Sequence, residues 1–267
     1  MRVLEDLGVH PIEAFQSDAF VIVEGTTDEP RLSSLLPLEF GRVFTFVAGT
    51  GRDVEGVVKM LNIDALPIPH LGIRDRDYLT TEQAEALEAA TPNLCIWSRR
   101  SVENEILYPP LIAKTLERIG RHHSEEEIVT RLRQLADEQR EAVTSELVEA
   151  SLRSRHAYTR AGDTVLERQK HHLEEVRRVA QAKLEEMDDV VTQVKDELDQ
   201  PWADEFLSLA DGKRLLSEFV EFTGFRNIRD LLSALGQTVH DHPDLLPPAF
   251  VRLRERMKAI LPTTPDS

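Results

Sequence analysis

Residues 19–23 read AFVIV, five apolar residues with no polar break, and Glu24 and Gly25 follow at once. A strand with one wet face alternates apolar and polar residues. An unbroken apolar strand must be covered on both faces, which is the condition of a parallel sheet between helices. The pattern recurs along the first half of the chain. RVFTFV (42–47) reads as a second strand, followed by Gly49, Gly51 and the helical DVEGVVKMLN. The third strand is Pro69–Ile73, and the fourth is NLCIW at 93–97. Between them TTEQAEALEAA reads as a helix capped by Thr80 or Thr81. After the first strand, Thr26, Thr27 and Asp28 are capping residues and Pro30 suits a first helical turn. Strands and helices alternating at this rhythm predict an α/β domain with right-handed crossovers.

The character changes after Pro109–Pro110. Leu173, Val176, Ala180, Leu184, Met187, Val191, Val194 and Leu198 step by threes and fours, a near-heptad seam. Ile128, Leu132 and Leu135, on to Leu147, offer a second helix to pack against it. This predicts an all-helical hairpin or small bundle inserted into the α/β domain, serving as a structural arm or a homodimer contact. Pro201 is expected to end the long helix. FLSLADGKRLLSEFVEF then gives an amphipathic helix after an Asp211–Gly212 turn, and one more helical pattern follows His240. The expected layout is an α/β part over 1–112, a helical insertion over 113–200 and a closing part over 201–267.

Charge bears on the partner. The chain carries 48 acidic against 32 basic residues, a net −16, which disfavours a polyanionic partner unless part of the acid binds cations. Basic residues cluster in GIRDRD, SRRS and RSRHAYTR. Cys95 is the single cysteine, so no internal disulfide can form, and a reducing cytoplasm is expected. No apolar run is long enough for a bilayer, and MRVLEDLGVHPIEAF lacks the layout of a signal peptide. His122–His123, His171–His172, His240 and His242 lack zinc spacing and read as solvated side chains. Cys95, Trp97 and Trp202 read as packing residues.

Three groups of residues carry candidate chemistry. Glu24 lies at the carboxyl end of a strand, where open parallel sheets build their sites, and Asp28 returns to that face one turn later. Asp75 and Asp77 are two apart at the end of the third strand, so in extended backbone both carboxylates point one way. A polar surface loop is the plainer reading of that pair. Glu103 and Glu105 follow the fourth strand, with Ser98, Arg99, Arg100 and Ser101 beside them. There Ser101 also suits a helix cap, with the acids favoured in its first turn. Three strands ending in acid imply a shared crevice, which clustered carboxylates tolerate when divalent cations neutralise them.

VEGTTD, then DRD, then a Ser-x-Glu segment after the next strand resemble the Toprim (topoisomerase–primase) domain. More narrowly they resemble the C-terminal nuclease region of the OLD (overcoming lysogenization defect) family. LEDLGVHPIEAFQSDAFVIVEGTTDE is similar to the junction between ATPase and Toprim domains in that family, and DGKRLL to its Gly-Lys element. The resemblance implies a Toprim-like, Rossmann-type parallel sheet and a DNA endonuclease of low sequence specificity using two Mg²⁺ or Mn²⁺ ions. It implies Glu24, Asp28, Asp75, Asp77, Ser101 and Glu103 in or beside the metal shell, with Glu24 and Asp75 central to catalysis. Lys213 would stabilise the transition state, while Arg74, Arg76, Arg99 and Arg100 hold flanking phosphates. Glu105 stands where the family often has an aromatic residue, a departure that leaves it at the margin of the metal set. No GxxxxGK[ST] pattern occurs, so an ATPase domain or subunit would be a separate partner. The alternatives are an RNA-processing Toprim nuclease and a non-catalytic module that binds an ATPase. No template-binding module points to a primase, and Tyr78, Tyr108 and Tyr158 lie in no recognisable topoisomerase cleavage domain.

Overall fold

A computed structural model of the chain describes residues 17–63, 69–155 and 165–262. The residues before Ser17 that resemble an ATPase junction, Tyr158, and the tail after Pro262 lie outside them. The described chain forms two compact units. One runs to Leu135 and resumes at Asp211; the other is Ala136–Ala210. The change of character read at Pro109–Pro110 precedes the first of these boundaries, because Leu111, Ile112, Leu116, Ile128 and Leu132 are buried within the first unit.

The first unit is built on a sheet of four strands, β1 (Ala19–Val23), β2 (Val43–Val47), β3 (His70–Arg74) and β4 (Leu94–Ile96). All pairings are parallel, in the order β2-β1-β3-β4. All four expected strands are present, each within a residue or so of its expected bounds. β1 is buried along its whole length, as an unbroken apolar strand must be. Between β1 and β3 the order changes direction. Such a switch point opens a crevice at the carboxyl ends of the two strands.

Helices cover the sheet. α1 (Asp28–Leu35) and the short α2 (Pro37–Phe40) follow β1, and α3 (Gly51–Ile63) follows β2. α4 (Thr81–Ala90) follows β3, its first turn closed by Thr80, whose hydroxyl accepts from the Gln83 N–H. On one face Phe20 and Ile22 of β1 pack with Val54, Val58 and Leu61 of α3, Ala84 of α4, and Leu94 and Ile96 of β4. After β4 come α5 (Val102–Ile106) and α6 (Pro109–Arg118). The first unit closes with α9 (Gly212–Thr223), α10 (Ile228–Asp241) and α11 (Pro248–Ile260). α9 lies against α5, and α11 against β3. Arg252 and Arg256 of α11 donate to the carbonyls of Ile96 and Leu94, and Glu88 accepts from the Ile96 N–H. The outer edge of β4 is thereby satisfied by side chains rather than by another strand. Cys95 and Trp97 are buried, and Trp97 packs on Phe250 with ring centres 5.2 Å apart.

α7 (Glu125–Arg155) begins in the first unit and continues into the second, where it is joined by α8 (Val165–Leu209). The helical hairpin is present, but its seam differs from the heptad reading. Leu173, Val176, Ala180, Leu184 and Met187 are exposed, and the buried positions are Val179, Val190, Val194 and Leu198. α7 is described to Arg155, and its Val148 and Leu152 pack with Val190 and Val194. Pro201 does not end α8, which runs to Leu209 with one non-helical residue at Glu205. Trp202 is buried and donates to Asp137 Oδ1 at 2.8 Å, so packing overrides the proline there.

A Cβ at Gly72 would lie 2.4 Å from Val58 Cγ2 and 3.0 Å from Val54 Cγ1. Gly72→Ala is therefore expected to lower stability by about 1–3 kcal/mol, read as a lower midpoint in urea or thermal unfolding.

Candidate active site

The carboxyl ends of β1, β3 and β4 meet at one crevice. Glu24 follows β1, and its Oε1 accepts from the Asp75 N–H just beyond β3 at 2.7 Å. Asp28 opens α1 and turns back, its Oδ2 accepting from the Gly25 N–H at 2.8 Å. Asp75 Oδ1 accepts from the Val102 N–H at the start of α5 at 3.3 Å. Asp77 is not extended: its φ is 51°, in the left-handed region, and its N–H donates to the Arg100 carbonyl at 3.0 Å. The chain turns there, which a short polar side chain tolerates. The reason given for pairing Asp75 with Asp77 fails, yet both stay in the same field.

That field is visible in the protonation of the group. Burial pushes the Asp75 carboxyl up to about 8, and Glu24, Glu103, Asp28 and Asp77 push the same way. Burial raises Glu24 to about 7, the Asp75 N–H bond opposes it, and the charges of Asp77 and Asp28 add to it. Asp28 and Asp77 are raised as well, burial again the main cause. Glu103 is wholly buried, and neither of its oxygens accepts a hydrogen bond. The Arg31 guanidinium lies 3.1 Å from its Oε1.

Glu105 is differently employed. Its Oε1 accepts from the Ser98 hydroxyl at 2.6 Å and the Arg99 N–H at 2.7 Å, bracing the β4–α5 turn. Ser101 stands at the N-cap of α5, and its hydroxyl and N–H both donate to Asn104 Oδ1, at 2.7 and 3.1 Å. Lys213 arrives from the far end of the chain. Asp211 caps α9 by accepting from the N–H groups of Lys213 and Arg214. A Cβ at Gly212 would lie 2.3 Å from Asn104 Oδ1 and 2.6 Å from Ser101 Oγ, so only glycine lets α9 start this close to α5. The Lys213 side chain is exposed, and its charge opposes the upward shift of the Asp28 and Asp77 carboxyls.

The four arginines expected to meet phosphate are tied into the protein. Arg74 donates to Glu55 at 3.2 Å, and Arg76 to the carbonyls of Leu79 and Ser98 at 2.8 and 2.6 Å. Arg99 donates to the Asn104 carbonyl at 2.7 Å, and Arg100 to the Tyr78 hydroxyl at 2.9 Å. Sequence reasoning passed over Arg31, Asn104, Gly51 and Gly212. Arg31 follows Asp28 by three residues, a spacing that puts both on one helical face. Asn104 follows Ser101 by three, the spacing of a capping box without its usual Glu or Gln.

The donor set is all hard oxygen, with two buried Glu103 oxygens accepting no hydrogen bond, and this chemistry suits a hard divalent ion. Among the described residues no three His, Cys, Asp or Glu side chains are drawn together closely enough to hold an ion. Glu24 and Asp28 accept from backbone N–H groups. The chain matches no family model, no curated protein and no solved structure.

The raised carboxyls set a pH dependence. Glu24 and Asp75 hold protons more tightly folded than unfolded, so their contribution is full below about pH 4. It is lost as pH rises through about 7 and about 8. In chelator-treated buffer the unfolding temperature should fall between about pH 5 and about pH 9. Asp75→Asn should flatten that fall, and an unchanged slope would show that these carboxyls do not govern it.

Proposed function

We propose that the crevice is the active site of a divalent-metal-dependent nuclease that cleaves the phosphodiester backbone of DNA, built as a Toprim-like domain of the OLD type. The observation that carries this reading is the meeting of three strand ends at the switch point of a parallel sheet, where Glu24 accepts from the Asp75 N–H and Asp75 accepts from the Val102 N–H. Glu24, Asp28, Asp75, Asp77 and Glu103 would hold Mg²⁺ or Mn²⁺, two ions in the full set, with Ser101 beside them and Glu105 behind as a brace. Such an ion supplies charge neutralisation and a water acidic enough to attack at neutral pH.

The other steps fall to the chain's own side chains. Lys213 offsets charge gathering on the scissile phosphate, a role supported by its electrostatic reach to Asp28 and Asp77. Arg31 holds Glu103 in place and keeps a positive charge beside it. Arg74, Arg76, Arg99 and Arg100 shape the rim, and contact with flanking phosphates would require them to exchange internal partners. No base-reading element is evident, in keeping with low sequence specificity. An ATPase domain or subunit is the proposed partner, and a cytoplasmic setting is part of the same reading. No described helix is long and apolar enough to cross a membrane.

On supercoiled plasmid with Mg²⁺ or Mn²⁺, nicking by the wild type is expected. Asp75→Ala should abolish it, and Lys213→Ala should slow it by about 10²–10³-fold. Equal nicking by wild type and Asp75→Ala would reject the assignment, and competition with RNA decides between the two backbones. The internal engagement of the four arginines favours a second reading, a non-catalytic module that binds an ATPase. Absence of Mn²⁺ binding by calorimetry would support that module instead.

A further inference from the structure

We propose that the open face of the α7–α8 hairpin is the seat of a second copy of this chain, closing a four-helix dimer. The inference concerns the second unit alone and does not rest on the reading of the acidic crevice.

Two helices that pack side by side bury one seam and leave a second apolar face open, and pairing such hairpins is the common solution. Here the buried seam is short: Val148, Leu152, Val190 and Val194, with Leu147 and Val191 beside them. Along the open face runs a groove of about 990 Å³ between the helices. Val148, Leu152, Met187 and Val191 line it, and Met187 is 37% exposed. One turn before Met187, Leu184 is 69% exposed, a cost in water that a covering surface removes.

The rims decide the occupant. Glu141 and Glu149 of α7 line one side and Lys183, Lys195 and Asp196 of α8 the other, with the Arg140–Asp199 pair between them. Glu141, Lys183 and Lys195 pair with no described charge, while Glu149 pairs with Arg153. A rim of both signs offers neither a nucleic acid nor a strongly basic protein a surface of one charge, but it complements itself under a two-fold axis. Arg140 pairs with Asp199, and Arg155 with Glu186 at 3.6 Å, which sets the heights of the antiparallel helices. With the two-fold axis along the hairpin, α7 of one copy lies over α8 of the other. Lys195 of the second copy then falls between Glu141 and Glu149, about one helical turn from each.

The test is light scattering on the full chain after size exclusion, with sedimentation to give the dimer constant. The mass of a dimer is expected across micromolar concentrations. Met187→Glu with Val191→Glu should give a monomer that keeps its helical circular dichroism. Glu141→Lys and Lys195→Glu should each weaken the dimer by about tenfold. The double charge reversal should recover most of what Lys195→Glu alone loses, which a merely misfolded variant would not do. A monomeric wild type means that another partner or another part of the chain fills the groove, and it overturns the proposal. So does a dimer indifferent to the groove variants, or a double reversal no better than the single ones.

Discussion

Carboxylates crowded at the ends of β1, β3 and β4 are the constraint around which the first unit is arranged. Burying one anion costs several kcal/mol, and burying several together costs more unless each finds a cation, a proton or an N–H group. The protein uses all three. Arg31 stands against Glu103, and Lys213 lies within the field of Asp28 and Asp77. The N–H groups of Gly25, Asp75 and Val102 answer Asp28, Glu24 and Asp75. What remains is carried as raised proton affinity on Glu24 and Asp75. A divalent ion would replace those protons, so affinity for it and alkaline pH should reinforce each other.

Two glycines make the geometry possible. A side chain at Gly51 would meet Arg74 Nε at 2.6 Å and Glu24 Oε1 at 2.9 Å, so α3 starts close against the first acid. Gly212 does the same for α9 against Ser101 and Asn104. In both places a helix N-terminus is brought up to a polar turn, and the positive end of its dipole lies on the acidic side.

The strands were legible because burial on both faces leaves no room for polar residues: AFVIV, HLGI and NLCIW could be little else. Glu24 was legible for a related reason, since the first polar residue past a buried strand must lie at its end, and Asp75 follows directly on the arginine that closes β3. Arg31 was hidden because an arginine on an exposed-looking helix resembles any solvated one, and its partner Glu103 arrives from another strand end. The hairpin seam was half legible. Periodicity shows which residues share a face of α8, but not which of them a neighbour covers: Val190, Val194 and Leu198 are buried and Leu173, Leu184 and Met187 exposed. Asp77 was misread locally, because a spacing of two fixes direction only where the backbone stays extended.

The close approach of Gly212 to Asn104 bears on how the molecule is made. A chain growing from the ribosome presents its acids early, and the helix that backs the α5 turn only after the whole hairpin has emerged. Until then the crevice stays wet, and its charges repel one another through water rather than through protein. Docking of α9 therefore follows the synthesis of every acid in the crevice, and it brings Lys213 within the field of Asp28 and Asp77. The last fifth of the polypeptide acts as a latch, and the hairpin between sets how long the nascent protein waits for it.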